Sequence, residues 1–78
     1  MDQSEMDKPH SKFVHVYAIV RFDFPMDAVN PENTVAVVKV FESKALAEAE
    51  ASRLNRINEE KRCTYRVCTS RLMPNDLQ

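Results

Sequence analysis

The side chains of this 78-residue chain that could take part in catalysis or metal binding are its carboxylates, imidazoles and thiols. Glu50 lies between Leu46 and Leu54 at helical spacing, so its carboxylate is predicted to fall within the apolar side of a helix. A carboxyl group in that position can have a raised pKa and act as a general acid or base. Because no second carboxylate or histidine is placed to complete such a mechanism, we expect Glu50 to lie at the edge of the apolar side or to pair with Arg53.

Histidine and cysteine could bind zinc, since imidazole nitrogens and thiolates are its usual ligands. The chain has two of each: His10, His15, Cys63 and Cys68. We expect no metal site, because His10 falls in a segment that is predicted to be a tail. The cysteines fall in one predicted strand, where about 3.3 Å per residue holds them roughly 16 Å apart and on opposite faces. They are expected to be reduced thiols that act as small apolar side chains, with an intermolecular bridge or a redox role as alternatives.

Motifs for phosphate binding and nucleophilic catalysis are missing from the sequence. The chain contains no glycine, so the usual glycine-rich phosphate loops cannot form. The serines have no nucleophile-elbow sequence around them, and Ser43 is better placed to cap a helix. We therefore predict a protein that is not an enzyme and needs no cofactor.

Length and charge indicate one small domain without a long-range electrostatic field. A chain of 78 residues has a marginal core, which a second subunit often stabilises. The net charge is −1, with 11 basic and 12 acidic side chains spread along the chain, and this favours neither nucleic acid nor an anionic membrane. The longest apolar run, 17–20, is too short to span a bilayer, and residues 1–8 lack the features of a secretion signal. A cytoplasmic location is expected.

Alternating apolar residues predict strands over residues 12–22, 34–41 and 63–72. The first strand is apolar on both faces and should be central. In the second strand we take Lys39 to point to solvent, which would direct Ala36, Val38 and Val40 toward the core.

One amphipathic helix is predicted over residues 44–61, after the N-cap Ser43. Its apolar stripe on a helical wheel consists of Leu46, Ala47, Ala51, Leu54 and Ile57. Asn55 and Asn58 are the helix residues least explained by helix propensity, and Asn58 is expected to bond the last turns.

The order β-β-α-β predicts an α+β fold in which one helix covers one face of a three-stranded antiparallel sheet. The third strand is parallel to the second and can pair only with the first, so the spatial order is 2-1-3, with a right-handed crossover. We expect a single domain over residues 12–73, flanked by flexible tails at 1–11 and 74–78.

The sheet face without a helix is the most informative predicted surface. If the helix covers the even-numbered side of the first strand, the open side is too apolar to stay in water and is expected to be a protein interface, most simply of a homodimer. The predicted interface residues are Phe13, His15, Tyr17, Ile19, Val35 and Val37.

The same face offers a competing hypothesis, single-stranded nucleic-acid binding. Bases could stack on Phe13 and Tyr17, while Arg21, Lys39 and Arg66 contact phosphates. A heterologous protein partner is the remaining alternative. No membrane contact is expected.

The second half of the chain resembles small bacterial proteins of β-β-α-β layout whose role is not assigned. This resemblance implies no activity, cofactor or catalytic residue. The residues that carry it are Ala47–Glu50, Arg53–Asn55, Asn58, Lys61, Cys63, Tyr65 and Thr69–Leu72.

Overall fold

A computed structural model describes residues 14–73 of the chain as a three-stranded antiparallel sheet with one helix, which confirms the predicted α+β class. The predicted tails 1–11 and 74–78, and Phe13, lie outside the described residues. The elements are β1 (Val14–Asp23), a short 3-10 helix (Pro31–Thr34), β2 (Val35–Phe41), α1 (Lys44–Ile57) and β3 (Cys63–Leu72).

The sheet has the predicted order, with β1 between β2 and β3. Ile19, near the middle of β1, lies opposite Lys39 of β2 and Val67 of β3. The pairing of β1 with β2 shifts by one residue between Ile19 and Val20, so Val38 has no direct partner. This irregularity reverses the relation between odd and even positions along β2.

Helix α1 begins as predicted and ends one turn early. Ser43 caps it, and its Oγ accepts a hydrogen bond from the backbone N–H of Leu46 at 3.2 Å. At the other end Asn58 donates from Nδ2 to the carbonyl oxygen of Leu54 at 2.8 Å, as expected for a residue that closes the last turn. Glu59 and Glu60 follow, and two carboxylates are unfavourable at the negative end of the helix dipole, which explains why the helix does not reach Lys61.

The helix covers the odd-numbered side of β1, so the condition on which the interface residues were predicted, a helix over the even-numbered side, is not met. Ile19 is completely buried, together with Ala47 and Ala51 of α1 and Tyr65 of β3. The reason lies in β3, whose residues Cys63, Tyr65 and Val67 are apolar while the residues between them are mostly polar. The register places those apolar residues beside the odd positions of β1, and the helix must follow them.

The side chain of Lys39 also has a different position from the predicted one. It lies on the helix side, and its Nζ donates a hydrogen bond to Oε2 of Glu50 in α1. Val38 and Val40, predicted to be in the core, are exposed, whereas Ala36 lies beside Arg21 on the helix side. The long aliphatic stem of a lysine can cross the edge of the sheet and still carry its charge to a carboxylate, so a lysine does not mark the solvent side.

The apolar stripe of α1 is only partly buried. Ala47 and Ala51 meet the sheet and Leu54 packs against the core, but Leu46 and Ile57 are exposed. The helix is therefore rolled so that its small residues face the strands, which allows close approach and leaves a core of few large side chains.

The connection between β1 and β2 is organised by the carboxylate of Asp27. Its Oδ1 accepts hydrogen bonds from the backbone N–H groups of Val29 and Asn30, at 3.0 and 2.9 Å. Its Oδ2 accepts one from Nδ2 of Asn33 at 3.2 Å. These bonds, first that from Asn30, lower the pKa of Asp27. The 3-10 helix, with Pro31 at its first position, completes this connection.

Candidate protein interface

The side of the sheet opposite α1 is the candidate site, and we call it the open face. Among residues 14–73 no helix packs against it, because α1 lies on the side of Ile19 and Tyr65. The alternation of strand side chains and the register place the following residues on the open face: Val14, Val16, Ala18, Val20 and Phe22 of β1, Val35, Val37 and Val40 of β2, and Thr64, Arg66, Cys68, Ser70 and Leu72 of β3.

Large apolar side chains of the open face are exposed over much of their surface. The exposed fractions are 54% for Val14, 64% for Val37, 57% for Val40 and 59% for Leu72. Single exposed apolar residues are common, but here Val14 pairs with Leu72, Val37 and Val40 lie on β2, and half-buried apolar residues of β1 connect the two pairs on one sheet face. Such a patch is typical of an interaction surface.

Polar groups on the open face are confined to one edge. β1 and β2 contribute only apolar side chains to it, whereas β3 contributes Thr64, Arg66, Cys68 and Ser70. Arg66 is the one charged side chain in the set, and it is exposed opposite Val20. The face therefore has an apolar area over two strands and a polar strip along the third.

The structure divides the predicted interface residues between the two sides of the sheet. Val35 and Val37 lie on the open face, as expected. His15, Tyr17 and Ile19 are on the helix side, and Ile19 is wrong as an interface residue because it is wholly buried in the core. The open-face residues that sequence reasoning missed are the even positions of β1, which the polar alternation of β3 could have revealed.

The cations proposed for nucleic-acid contact do not share one surface. Arg21 lies on the helix side, with its Nε 3.4 Å from Oδ1 of Asp23. Lys39 is engaged by Glu50. Only Arg66 lies on the open face.

Glu50 is an ion-pair centre and not a carboxyl with a raised pKa. Arg53 donates to it from both Nε and Nη2, each at 2.7 Å, and Lys39 donates from β2. These hydrogen bonds, that from Arg53 first, lower the pKa of Glu50 to about 2. The expected pairing with Arg53 is confirmed, and the alternative of a raised pKa is wrong.

Asn55 attaches α1 to the outer edge of β3. Its Nδ2 donates to the carbonyl oxygen of Tyr65 at 2.9 Å, and its Oδ1 accepts from the N–H of Tyr65 at 2.8 Å. The amide thus makes the pair of hydrogen bonds that a neighbouring strand would make. The low helix propensity of asparagine singled out Asn55 in the sequence, but its hydrogen-bond partner Tyr65 is evident only from the folded structure.

The cysteines have the predicted arrangement. Cys63 faces the helix and is half-buried, whereas Cys68 is exposed on the open face, and neither forms a disulfide.

No helix within residues 14–73 has the length and apolar character needed to cross a membrane.

Comparison with family models, curated proteins and solved structures gives no match for this chain. The resemblance to small bacterial β-β-α-β proteins therefore stays a prediction.

Proposed function

We propose that this chain is a non-enzymatic interaction domain that forms a homodimer by packing its open face against that of a second copy. The observation that carries the proposal is the exposure of Val14, Val37, Val40 and Leu72 on one continuous sheet face. Water contact with this apolar area is unfavourable, and a second open face is apolar over the same strands.

The size of the open face suits a small dimer interface. Strands of 10, 7 and 10 residues form the sheet. At about 3.3 Å per residue and about 4.8 Å between strands, the flat footprint is roughly 430 Å² per copy. Side-chain relief raises the accessible area above this footprint, so two copies reach about the 1,000 Å² expected of a biological interface.

The thin core gives a second argument. Of the apolar side chains in residues 14–73, only Ile19, Ala47, Ala51 and Tyr65 are buried. Small domains with so little buried surface are often completed by a second subunit. Packing two open faces would turn the exposed valines of β2 into core residues of the dimer.

Light scattering after gel filtration tests the proposal on the full chain. We expect the wild type to be a dimer at micromolar concentrations and Val37→Glu to be a monomer, because a buried unpaired carboxylate is costly. Val29→Glu is the matched control, since Val29 is 83% exposed in the loop and lies off the open face. A monomeric wild type, or dissociation by both substitutions alike, would contradict the proposal.

Single-stranded nucleic-acid binding is the alternative function, and the same purified protein can be used to test it. Arg66 is the one cation of the three suggested that lies on the open face, so it gives that function limited support. Binding of labelled oligonucleotides that weakens with salt and with Arg66→Gln would favour it over dimerisation. If the open face instead binds a different protein, the purified chain by itself is expected to be a monomer.

We propose a cytoplasmic location. Cys63 and Cys68 lie on opposite faces of β3 and cannot pair with each other, and two such free thiols are compatible with a reducing compartment.

A further inference from the structure

The connection between β1 and β2 carries a second group of exposed apolar side chains, away from the open face. The exposed fractions are 47% for Phe24, 42% for Met26 and 83% for Val29. All three lie within residues 24–29, which we call the apolar loop. Large apolar side chains that stay exposed close together are typical of a contact with another molecule.

Hydrogen bonds hold the apolar loop in one shape. The carboxylate of Asp27, at its centre, accepts hydrogen bonds from the loop itself and from the 3-10 helix that follows. The N–H of Asp27 donates to Oγ1 of Thr34 at 3.3 Å, and the N–H of Phe24 donates to the carbonyl oxygen of Arg62 at 2.9 Å. A loop that is already ordered loses little conformational entropy when it binds.

The charge around the apolar loop is negative. Residues 24–34 contain the carboxylates of Asp27 and Glu32 and no lysine, arginine or histidine. The hydrogen bond from Asn30 is the largest of several causes that lower the pKa of Asp27, so this carboxylate is charged at neutral pH. The neighbouring turn, 59–62, has two acidic and two basic residues and adds no net charge.

These properties favour one kind of partner. An anionic membrane surface would repel the carboxylates, and two apolar loops from two copies of this chain would repel each other. A fixed loop shape is an advantage only against a partner that also has a defined shape. A protein pocket that is apolar inside and basic at its rim satisfies both the shape and the charge.

We propose that the apolar loop docks into an apolar pocket with a basic rim on a different protein. Phe24, Met26 and Val29 enter the pocket, Asp27 fixes the loop, and Glu32 meets the rim. This contact is separate from the open face, so it does not depend on whether the chain is a dimer.

Site-specific photo-cross-linking in cells tests the proposal on the full chain. The photoreactive residue benzoylphenylalanine replaces Val29, and in the matched control it replaces Ala49, which is exposed on α1. We expect one other protein to be cross-linked at position 29 and not at position 49, and to bind the unmodified chain once both are purified. The absence of a product, the same product at both positions, or a product of two copies of this chain would overturn the proposal.

Calorimetry with the cross-linked protein then measures the share of each side chain. Phe24→Ser and Val29→Ser should each weaken binding by about tenfold, as the loss of a buried anchor side chain does, while circular dichroism stays that of the wild type. Added salt should also weaken binding, because the loop and the rim have opposite charges. Affinities that neither substitution changes would overturn the proposal.

Asp27→Ala tests whether the shape of the loop matters, because it removes the hydrogen bonds and keeps the apolar side chains. We expect it to weaken binding by about three- to tenfold, from the ordering that the loop must then undergo. Glu32→Gln is the matched control, since it removes the same charge and none of the hydrogen bonds of Asp27. An equal effect of both substitutions would overturn the docking of a pre-ordered loop.

Vesicles of phosphatidylcholine test the other kind of occupant. We expect the wild-type chain to stay in the supernatant when such vesicles are sedimented. Sedimentation with the vesicles that Val29→Ser abolishes would assign the apolar loop to a lipid surface and overturn the proposed protein pocket.

Discussion

Two polar side chains of α1 attach the helix to the outer strands on either side. Asn55 holds the backbone of Tyr65 in β3, and Glu50 holds Lys39 of β2. Since the apolar contact of α1 is made mostly through alanines, these polar contacts fix the position of the helix across the sheet.

Replacement of Asn55 by alanine leaves the half-buried N–H and carbonyl of Tyr65 without their partners. We expect a loss of about 1–3 kcal/mol in the free energy of unfolding, the usual cost of unsatisfied buried polar groups. Urea denaturation measures it. Arg56→Ala, at the next and exposed position of the same helix, is the control and should change stability by less than about 0.5 kcal/mol. Equal effects of the two substitutions would show that the hydrogen bonds from the Asn55 side chain contribute little to stability.

Glu50 gives the stability a dependence on acid pH. Its pKa is about 2 in the folded chain, below the ordinary value of 4.5, so folding favours the charged form. The stabilisation is complete above about pH 4.5 and is lost as the pH falls toward about 2. We expect Glu50→Gln to be less stable than the wild type at pH 7 and the difference to shrink at pH 3. A difference that is the same at both pH values would exclude this linkage. Asp27, with its lowered pKa, adds a slope of the same sign to both proteins.

At the scale of elements, α1 is seated on the sheet through two small residues. Ala47 and Ala51 are buried, and Ala51 contacts the cluster of Ile19 and Tyr65. A larger side chain at this position cannot be accommodated without moving the helix.

Ala51→Leu is therefore expected to destabilise the fold by about 1–3 kcal/mol through overpacking, although leucine is a good helix former. Ala49→Leu is the matched control, because Ala49 is exposed on the same helix and should tolerate leucine. Thermal unfolding followed by circular dichroism measures both. If Ala51→Leu is as stable as Ala49→Leu, Ala51 does not pack closely against Ile19 and Tyr65 as the structure indicates.

The strands, the helix and the order 2-1-3 could be predicted because alternation, capping and chain direction are local or topological properties. The covered face could not, since β1 is apolar on both sides and carries no signal of its own. The face depends on which residues of β3 lie beside Ile19, and that register is a property of the assembled sheet. The orientation of Lys39 was predicted wrongly for a related reason. Neither the register shift at Val38 nor the hydrogen bond from Lys39 to Glu50 can be read from the sequence, because both arise only in the folded chain.

At the scale of the whole molecule, residues 14–73 form two layers, and within these residues one apolar side of the sheet is uncovered. A dimer made through that side would unfold together with its interface, so its stability would depend on protein concentration.

We expect the Tm of the wild type to rise by about 3–6 °C for each tenfold increase in concentration, from the size of the unfolding entropy and the mass-action term. Scanning calorimetry at several concentrations measures it. Val37→Glu should have a lower Tm that does not change with concentration. A wild-type Tm that does not change with protein concentration would contradict a dimer that unfolds together with its interface.

The amide of Asn55 has a consequence for how sheets can join sideways. It occupies the hydrogen-bonding groups of Tyr65 that an incoming strand would need, so lateral extension past β3 is obstructed at that point. On the opposite margin, Lys39 and the shifted register disturb the regular edge that β2 would present. In the proposed dimer the copies would pair through the valines of the open face, while both margins of the sheet disfavour the edge-to-edge growth that leads to fibres.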